Sequence, residues 1–283
     1  MKIIVLGSTD YQEKDFIISA ISENGPVSFK VRGGLNPNSP FVWLKNPLVE
    51  AEVEYVENVR YRHQILKGAS IIASPFPKTP DLKSMQAIGL ALEIVNKMFQ
   101  EDEKHMMFYE LENYIAAIKK LKDYTLAELI LIANAIKLTG SSLEANKCVY
   151  CGKTKGIVAF SFSDGGFVCK DCVDKDTPCD LNASQMKIIG YIFRTTEYDQ
   201  VDSDSLPYED LKILFAKLND YIFDSIGVKL EIIPNIINLT LDPSDFGQKF
   251  LTTLIYFFNI SNISLAVLLK CVFKSLVPSI KTK

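Results

Sequence analysis

Residues 48–56 read Leu-Val-Glu-Ala-Glu-Val-Glu-Tyr-Val, and this stretch decides the fold of the first part of the chain. Apolar side chains at the odd positions from Val49 to Tyr55 alternate with glutamates at the even positions. Successive side chains of a β-strand point to opposite faces of its sheet, so this alternation predicts a strand. One face of the strand is predicted to be buried, and the face that carries the glutamates is predicted to be solvated.

Other short strands surround this one within residues 1–80. A buried strand is predicted over 3–7, and a further strand over 26–31 after the turn at 23–25. Pro37 and Pro40 place a loop at 36–40, because proline cannot donate to a strand ladder. Several short strands at this spacing predict a small barrel or a sandwich.

The pattern changes at Pro75, Pro77 and Pro80, where we place the boundary of a first domain, 1–80. Beyond it, apolar residues recur at helical spacing over 82–99 and 111–121. Thr125 and Glu128 predict a capping box for a third helix that ends at Gly140. Two more helices are predicted over 182–194 and 207–227. The second domain, 81–240, is therefore predicted to be helical around a cysteine-containing insert, 146–180.

Composition limits the functions that the chain can have. Apolar residues make up 48% and charged residues 23%, which is typical of a folded globular protein. Lysine and arginine total 31 against 34 aspartates and glutamates, so any nucleic-acid surface has to be local. Six cysteines, with only a short apolar run after Met1, predict a reducing compartment and a cytoplasmic protein.

The C-terminal extension, 241–283, has a composition of its own. Residues 250–269 carry no charge and are long enough to span a membrane. Asn259 and Asn262 lie near the middle of this run, where an amide in hydrocarbon is costly. We therefore favour two shorter helices packed on the helical domain, with membrane attachment as the alternative.

Two cysteine pairs provide the most specific motif of the chain. Cys148 and Cys151 form one C-x2-C pair, Cys169 and Cys172 form the other, and seventeen residues separate the pairs. This spacing predicts one four-cysteine zinc site on a small ribbon, with a strand at 157–162. Four sulfur ligands leave no open coordination position, so the zinc is predicted to be structural. The alternatives are a redox dithiol or reduced core cysteines, and Cys179 and Cys271 are predicted to be buried apolar residues.

No catalytic set stands out in the sequence. The two histidines, His63 and His105, lie far apart, and neither begins the His-x-Glu motif of zinc deaminases. Residues 32–35 lack the lysine and the following helix signal of a phosphate loop. We predict that the protein is not an enzyme.

The order of several motifs resembles the RecO family of DNA repair and recombination mediators. Gly7, the stretches 10–15 and 23–28, and the Arg32-Gly33 pair are similar to the family's opening strands and turn. Residues 148–169 are similar to its zinc segment, and the resemblance runs from residue 1 to about residue 237. It implies an α+β protein with an N-terminal OB-fold β-barrel, followed by an all-α domain that carries a four-cysteine zinc ribbon.

The resemblance also implies a function. A member of this family binds single- and double-stranded DNA, anneals complementary strands, and works with RecR and the single-stranded-DNA-binding protein to help load RecA. The alternative is a protein-interaction scaffold of the same fold with weak or no DNA binding, which the negative net charge favours.

Candidate DNA-binding residues follow from the barrel, because OB-folds bind strands with basic grooves and aromatic platforms. The phosphate-binding candidates are Lys30, Arg32, Lys45, Arg60, Arg62 and Lys67, and the stacking candidates are Phe29, Phe41 and Trp43. The alternative is a solvated basic face with aromatic side chains in the core. The chain also lacks the basic run that the family tends to carry after Gly33, so a second alternative shifts DNA contacts to Lys153, Lys155 and Lys170.

Overall fold

The structure is a computed structural model that describes residues 1–57, 63–76, 81–198 and 205–233. Within these ranges it divides into two compact units, residues 1–120 and 121–233. The first unit contains the barrel and two helices, and the second contains three helices and the cysteine segment. The domain boundary predicted at residue 80 falls outside the described residues, as does the extension at 241–283.

Five strands of the first unit close into a barrel in the order β1-β2-β3-β5-β4. They are β1 (Lys2–Tyr11), β2 (Asp15–Ser22), β3 (Gly25–Val31), β4 (Glu50–Val56) and β5 (Gln64–Ala73). Neighbouring strands are antiparallel except β3 and β5, which form a short parallel pair. This topology is the Greek-key barrel of the OB-fold, so the predicted strands and the implied fold class are confirmed.

The barrel interior is filled by apolar side chains that alternate along the strands. Phe16, Phe29 and Val53 are at most 1% exposed and belong to one packed cluster. The prediction of a solvated glutamate face on β4 holds for Glu52 but is wrong for Glu50, which is buried. Glu50 tolerates burial because its carboxylate pairs with Lys2 Nζ at 2.7 Å.

The helices of the first unit are α1 (Leu82–Met98) and α2 (Phe108–Ile118), and a 3-10 helix, Lys104–Met107, lies between them. Asp81 and Ser84 form a reciprocal capping box that begins α1. The two helices are joined by a hydrogen bond from the buried Tyr114 hydroxyl to the Ala87 carbonyl, 3.1 Å long. Lys2 also pairs with Glu112, which ties β1 to α2.

The second unit contains α3 (Thr125–Leu138), α4 (Ala183–Ile192) and α5 (Tyr208–Ile226), with β6 (Ile157–Ser161) and β7 (Gly166–Cys169) inserted between α3 and α4. Helix α3 is buried on nearly all sides and contacts both α4 and α5. The five helices predicted between residues 82 and 227 are thus confirmed. None of the described helices is long and apolar enough to cross a membrane.

Two helix ends test the capping predictions. Gly227 ends α5 in the left-handed conformation at φ 81°, as predicted. The capping box predicted at Thr125 is wrong, because Thr125 is already the first helical residue and Tyr124 occupies the cap position. Asp123 Oδ1 instead accepts the Thr125 N–H at 3.0 Å.

Candidate metal centre and nucleic-acid surface

The four predicted cysteines come together at one point of the second unit. One sulfur from each of Cys148, Cys151, Cys169 and Cys172 lies within 4.8 Å of all the others, and the Cys151 and Cys169 sulfurs are 3.5 Å apart. Cys148 and Cys169 are buried, whereas Cys151 is exposed. The arrangement therefore forms a candidate metal site with two ligands inside the fold and an outer edge near solvent.

Each cysteine pair lies on a tight backbone turn. The Gly152 N–H donates to the Cys148 carbonyl at 2.9 Å, and the Cys172 N–H donates to the Cys169 carbonyl at 3.0 Å. Gly152 has a φ of 73°, a conformation that glycine adopts without steric cost. These turns bring both thiols of a pair to the same side, as two residues between the cysteines predict.

The strand pair β6-β7 joins the two turns and has its own packing; we call residues 146–180 the cysteine ribbon. Phe160 is fully buried and meets Phe167 edge to face, with ring centroids 5.3 Å apart. The Asp180 side chain accepts the Phe162 N–H at 2.8 Å, which fastens the end of the ribbon to β6. A parallel bridge between Glu144 and Gly166 anchors the segment that leads into it.

The local electrostatics of the cluster favour a cation. Burial raises the pKa of Cys148, but N–H groups that include those of Cys169 and Cys151 outweigh it and lower that pKa to about 6. The pKa of Cys172 is raised to about 12, chiefly because its thiol shares a hydrogen bond with the Cys151 sulfur. One thiol thus ionises readily and its neighbour resists a second negative charge, which a bound divalent cation would neutralise. The donor set therefore fits a metal that prefers sulfur.

The remaining cysteine of the described chain does not join the cluster. Cys179 was predicted to be a buried apolar residue, and that prediction is wrong because its side chain is exposed. Its thiol is 3.9 Å from the Thr177 carbonyl. Cys271 lies outside the described residues.

On the barrel, two of the predicted phosphate-binding lysines already have acidic partners. Lys30 Nζ is 2.9 Å from Asp15, and Lys45 Nζ is 2.5 Å from Asp10. Both aspartates flank the turn between β1 and β2. A lysine held by a carboxylate has less net positive potential to offer a phosphate.

Other basic candidates on the barrel are less restrained. Arg32 and Lys67 are exposed, and no ion pair joins either of them to another residue in the described ranges. Arg60 and Arg62 lie outside those ranges. The structure thus leaves Arg32 and Lys67 as the described side chains of this set with the most freedom to meet a phosphate.

The predicted stacking residues have different environments. Phe29 is fully buried in the barrel core, so it presents no ring face to a base and the core alternative holds. Trp43 and Phe41 are half-buried and pack against the same core. The Trp43 indole N–H donates to the Pro40 carbonyl at 2.7 Å, which fixes its ring beside the 36–40 loop.

The lysines of the cysteine ribbon are also only partly available. Lys153 Nζ lies 2.7 Å from Asp171, so an ion pair links the loops that carry the two cysteine pairs. Lys170 is exposed, and its aliphatic stem lies near Gly156. Lys155 is exposed and has no ion pair with any residue that the structure describes.

Sequence reasoning missed the acidic partners of the barrel lysines, although a signal for one of them existed. The two-residue turn at 23–24 sets the β2-β3 register, in which Ile17 faces Lys30 and Phe16 faces Val31. Extending this register by one residue places Asp15 beside Arg32 and diagonal to Lys30. No comparable local signal links Asp10 to Lys45, because these residues are distant in sequence.

Comparison with known proteins matches the part of the chain that follows the barrel to one family. The model of the family described as "Recombination protein O C terminal" matches residues 79–231. The DNA repair protein RecO of Bacillus pumilus is 26% identical over 206 residues, which cover 70% of this chain and 79% of that protein. The DNA repair protein RecO of Shouchella clausii is 25% identical over 237 residues, which cover 81% and 90%.

A third relative agrees with these two. The DNA repair protein RecO of Bacillus subtilis is 25% identical over 177 residues, which cover 61% of this chain and 68% of that protein. The three relatives thus match between 61% and 81% of this chain, and the range matched by the family model includes the cysteine ribbon.

Proposed function

The chain belongs to the RecO family of DNA repair and recombination proteins, and from that premise we propose that it is a recombination mediator that binds DNA. It binds single- and double-stranded DNA and anneals complementary strands. With RecR it helps load RecA onto strands coated by the single-stranded-DNA-binding protein. The observation that carries the proposal is the closed OB-type barrel ahead of the family-matched helices, since such barrels bind strands in many proteins.

Zinc is the metal that we propose for the four-cysteine site, one ion per chain. Cys148, Cys151, Cys169 and Cys172 would hold it, and a sulfur-only set suits zinc better than hard cations such as magnesium. The ion would cross-link the two turns. It would activate no water, because protein sulfurs would occupy all four of its coordination positions. The protein thus acts by binding and not by catalysis, and we propose the reducing cytoplasm as its location.

An annealing assay tests the main proposal. Complementary strands are coated with the single-stranded-DNA-binding protein, and the full-length, metal-loaded protein is added at low salt. We expect annealing to accelerate, and direct binding to an oligonucleotide to weaken linearly with the logarithm of salt concentration. If folded, metal-loaded protein retains no strand even at low salt, DNA mediation by this chain is refuted.

A second candidate, a protein-interaction scaffold, is favoured by the ion pairs Lys30–Asp15 and Lys45–Asp10. These pairs neutralise two barrel lysines, and the net charge of −3 repels phosphate overall. A scaffold would capture RecR and the single-stranded-DNA-binding protein from nuclease-treated solution while retaining no oligonucleotide. A mediator would retain both the proteins and the strand.

A further inference from the structure

The first unit contains a cleft of about 680 Å³, and none of the predicted site residues that the structure describes lines it. Strands β1, β2 and β3 supply its floor, and Asn96 of α1 and Lys104 of the 3-10 helix line its wall. The volume falls within the range of about 300–1,000 Å³ that is typical of small-molecule sites. The cleft is therefore large enough for one nucleotide unit.

A hydrogen-bonded pair holds one side of the cleft in place. The Ser28 hydroxyl donates to the Ile18 carbonyl at 3.0 Å, and the same oxygen lies 2.8 Å from His63 Nδ1. Because the hydroxyl has one hydrogen, His63 Nδ1 is the donor to Ser28, which fixes the imidazole ring. His63 Nε2 is then left to pair with a ligand in the cleft.

A cation occupies the opposite wall. Lys104 Nζ lies 2.7 Å from the Glu101 carboxylate, yet the lysine side chain is only 13% exposed while that of Glu101 is 69% exposed. The lysine side chain is thus mostly buried, and its partner, which also lines the cleft, is mostly exposed, where a salt bridge is weak. Lys104 can therefore exchange Glu101 for a phosphate at low cost.

The rest of the lining combines hydroxyl donors with apolar surface. Thr9 and Ser19 add hydroxyl groups, and Ile17 and Val27 add apolar side chains from neighbouring strands. Lysine and hydroxyl groups are common phosphate partners of DNA-binding proteins, and apolar strand surface suits a sugar or a base. His63, Glu101 and Lys104 are the ionisable side chains among the described residues of this lining.

We propose that this cleft holds one nucleotide unit of a bound single strand, with its phosphate on Lys104 and its base or sugar between His63 and the apolar strand surface. The inference rests on the proposed DNA-binding function and specifies where the strand enters the barrel unit. The cleft is distinct from the DNA-binding residues predicted from sequence that lie within the described ranges, because none of them lines it. An acidic peptide would also pair with Lys104, but it would leave the histidine and the apolar floor with little to contact.

Two opposing substitutions test the proposal in the full-length, metal-loaded protein. Lys104→Gln removes the cation, so affinity for a fluorescent oligo(dT) is expected to fall about 5- to 10-fold and the salt slope to decrease by about one. Glu101→Gln frees the cation, so affinity is expected to rise about 2- to 5-fold. Glu101 is exposed, and its substitution is not expected to disturb folding.

Lys119→Gln is the matched control, because Lys119 is an exposed lysine of the same unit outside the cleft. Its affinity should stay within about twofold of the unsubstituted protein. If Lys119→Gln weakens binding as much as Lys104→Gln, or if Glu101→Gln leaves affinity unchanged, the cleft is not the strand site although DNA binding itself stands. If Lys104→Gln loses a glutamate-rich peptide and keeps oligo(dT), the cleft is a peptide site and the proposal is overturned. Absence of strand binding by the unsubstituted protein instead refutes the proposed function itself.

Discussion

The barrel and the cysteine ribbon are both small antiparallel structures, but different forces hold them together. The barrel closes five strands around one cluster of buried apolar side chains. The ribbon has two strands, which are marginal alone in water, and its central feature is a group of four thiols. The difference is that the barrel is stabilised by burial alone, whereas we propose that the ribbon is stabilised by a metal ion on its thiols in addition to the packing of Phe160.

The two regions should therefore respond differently to substitution. Substitution of an exposed charged residue on the barrel should change the free energy of unfolding little, because the apolar core is unaffected. Ribbon residues near the thiols or at strained backbone positions should matter far more than their buried area predicts.

The largest effect is expected from Cys151→Ala, which removes one of the four proposed metal ligands. Metal content should fall from about one ion per chain to nearly none, because structural zinc sites of small domains contribute about 10–16 kcal/mol of apparent binding energy through the complete ligand set. Amide protection should then be lost in the ribbon and kept in the barrel. Elemental analysis and hydrogen exchange measure the two responses.

Cys179→Ala provides the control for this substitution, since Cys179 is an exposed thiol outside the cluster. It should retain the metal and the ribbon protection. A Cys151→Ala protein that still carried one ion per chain would remove the basis for contrasting the two regions.

A smaller effect is expected from Gly166→Ala. Gly166 has a φ of 151°, and an added Cβ would lie 2.2 Å from the Glu144 carbonyl oxygen. We expect local opening of the ribbon to become easier by about 2–4 kcal/mol, through backbone strain and steric overlap. Hydrogen exchange of the Phe167 amide, which donates to that carbonyl at 3.0 Å, measures the change.

The neighbouring Gly165 is the matched comparison. It also has a positive φ, 82°, but no atom lies within 4 Å of an added Cβ. Gly165→Ala should therefore lower the free energy of local opening of the ribbon by only about 1 kcal/mol. Equal losses at the two positions would mean that the Glu144 bridge does not hold the ribbon.

The smallest effect is expected from Asp15→Asn on the barrel. The Gly33 N–H at 2.8 Å and then Lys30 lower the pKa of Asp15 below its ordinary 3.8. A carboxyl with a lowered pKa stabilises the fold above its unfolded-state pKa and loses that contribution as pH falls through the folded-state value. The substitution should thus lower the free energy of unfolding by about 1 kcal/mol at pH 7, and by less below about pH 4.

Urea unfolding at pH 7 and pH 3 measures this dependence. Asp10→Asn serves as the control, because the Asp10 side chain is 62% exposed and its pair with Lys45 should contribute about 0.5 kcal/mol or less. The free energies of unfolding of Asp15→Asn and the unsubstituted protein should differ less at pH 3 than at pH 7. A larger difference at pH 3 would contradict the assigned role of the carboxylate.

Local sequence patterns predicted much of this structure. The alternation at 48–56, the apolar periodicity of the helices and the cysteine spacing each express a short-range geometric rule, and the corresponding elements are present. Strands β2 and β5 were not identified individually, since neither shows clean alternation. The parallel β3-β5 contact that closes the barrel joins Phe29 to Gln64, a pairing that no local pattern specifies.

The candidate sites were predicted unevenly for the same reason. The ligands of a four-cysteine site are marked by residue type, so the thiol cluster is predictable from cysteine spacing alone. Phosphate and base contacts depend on which lysines are neutralised and which aromatic rings are buried. Those properties arise from pairs such as Lys45 and Asp10, and from the packing of Phe29, which only the folded chain defines.

The ion pairs of Lys2 limit how related sequences can diverge. Lys2 lies between the buried Glu50 and the α2 residue Glu112, so losing the lysine alone leaves a carboxylate buried without its partner. Replacing Lys2 and Glu50 together by apolar residues avoids that intermediate cost. Across the family, positions 2 and 50 should therefore covary, and an apolar residue at position 2 should accompany an uncharged residue at position 50.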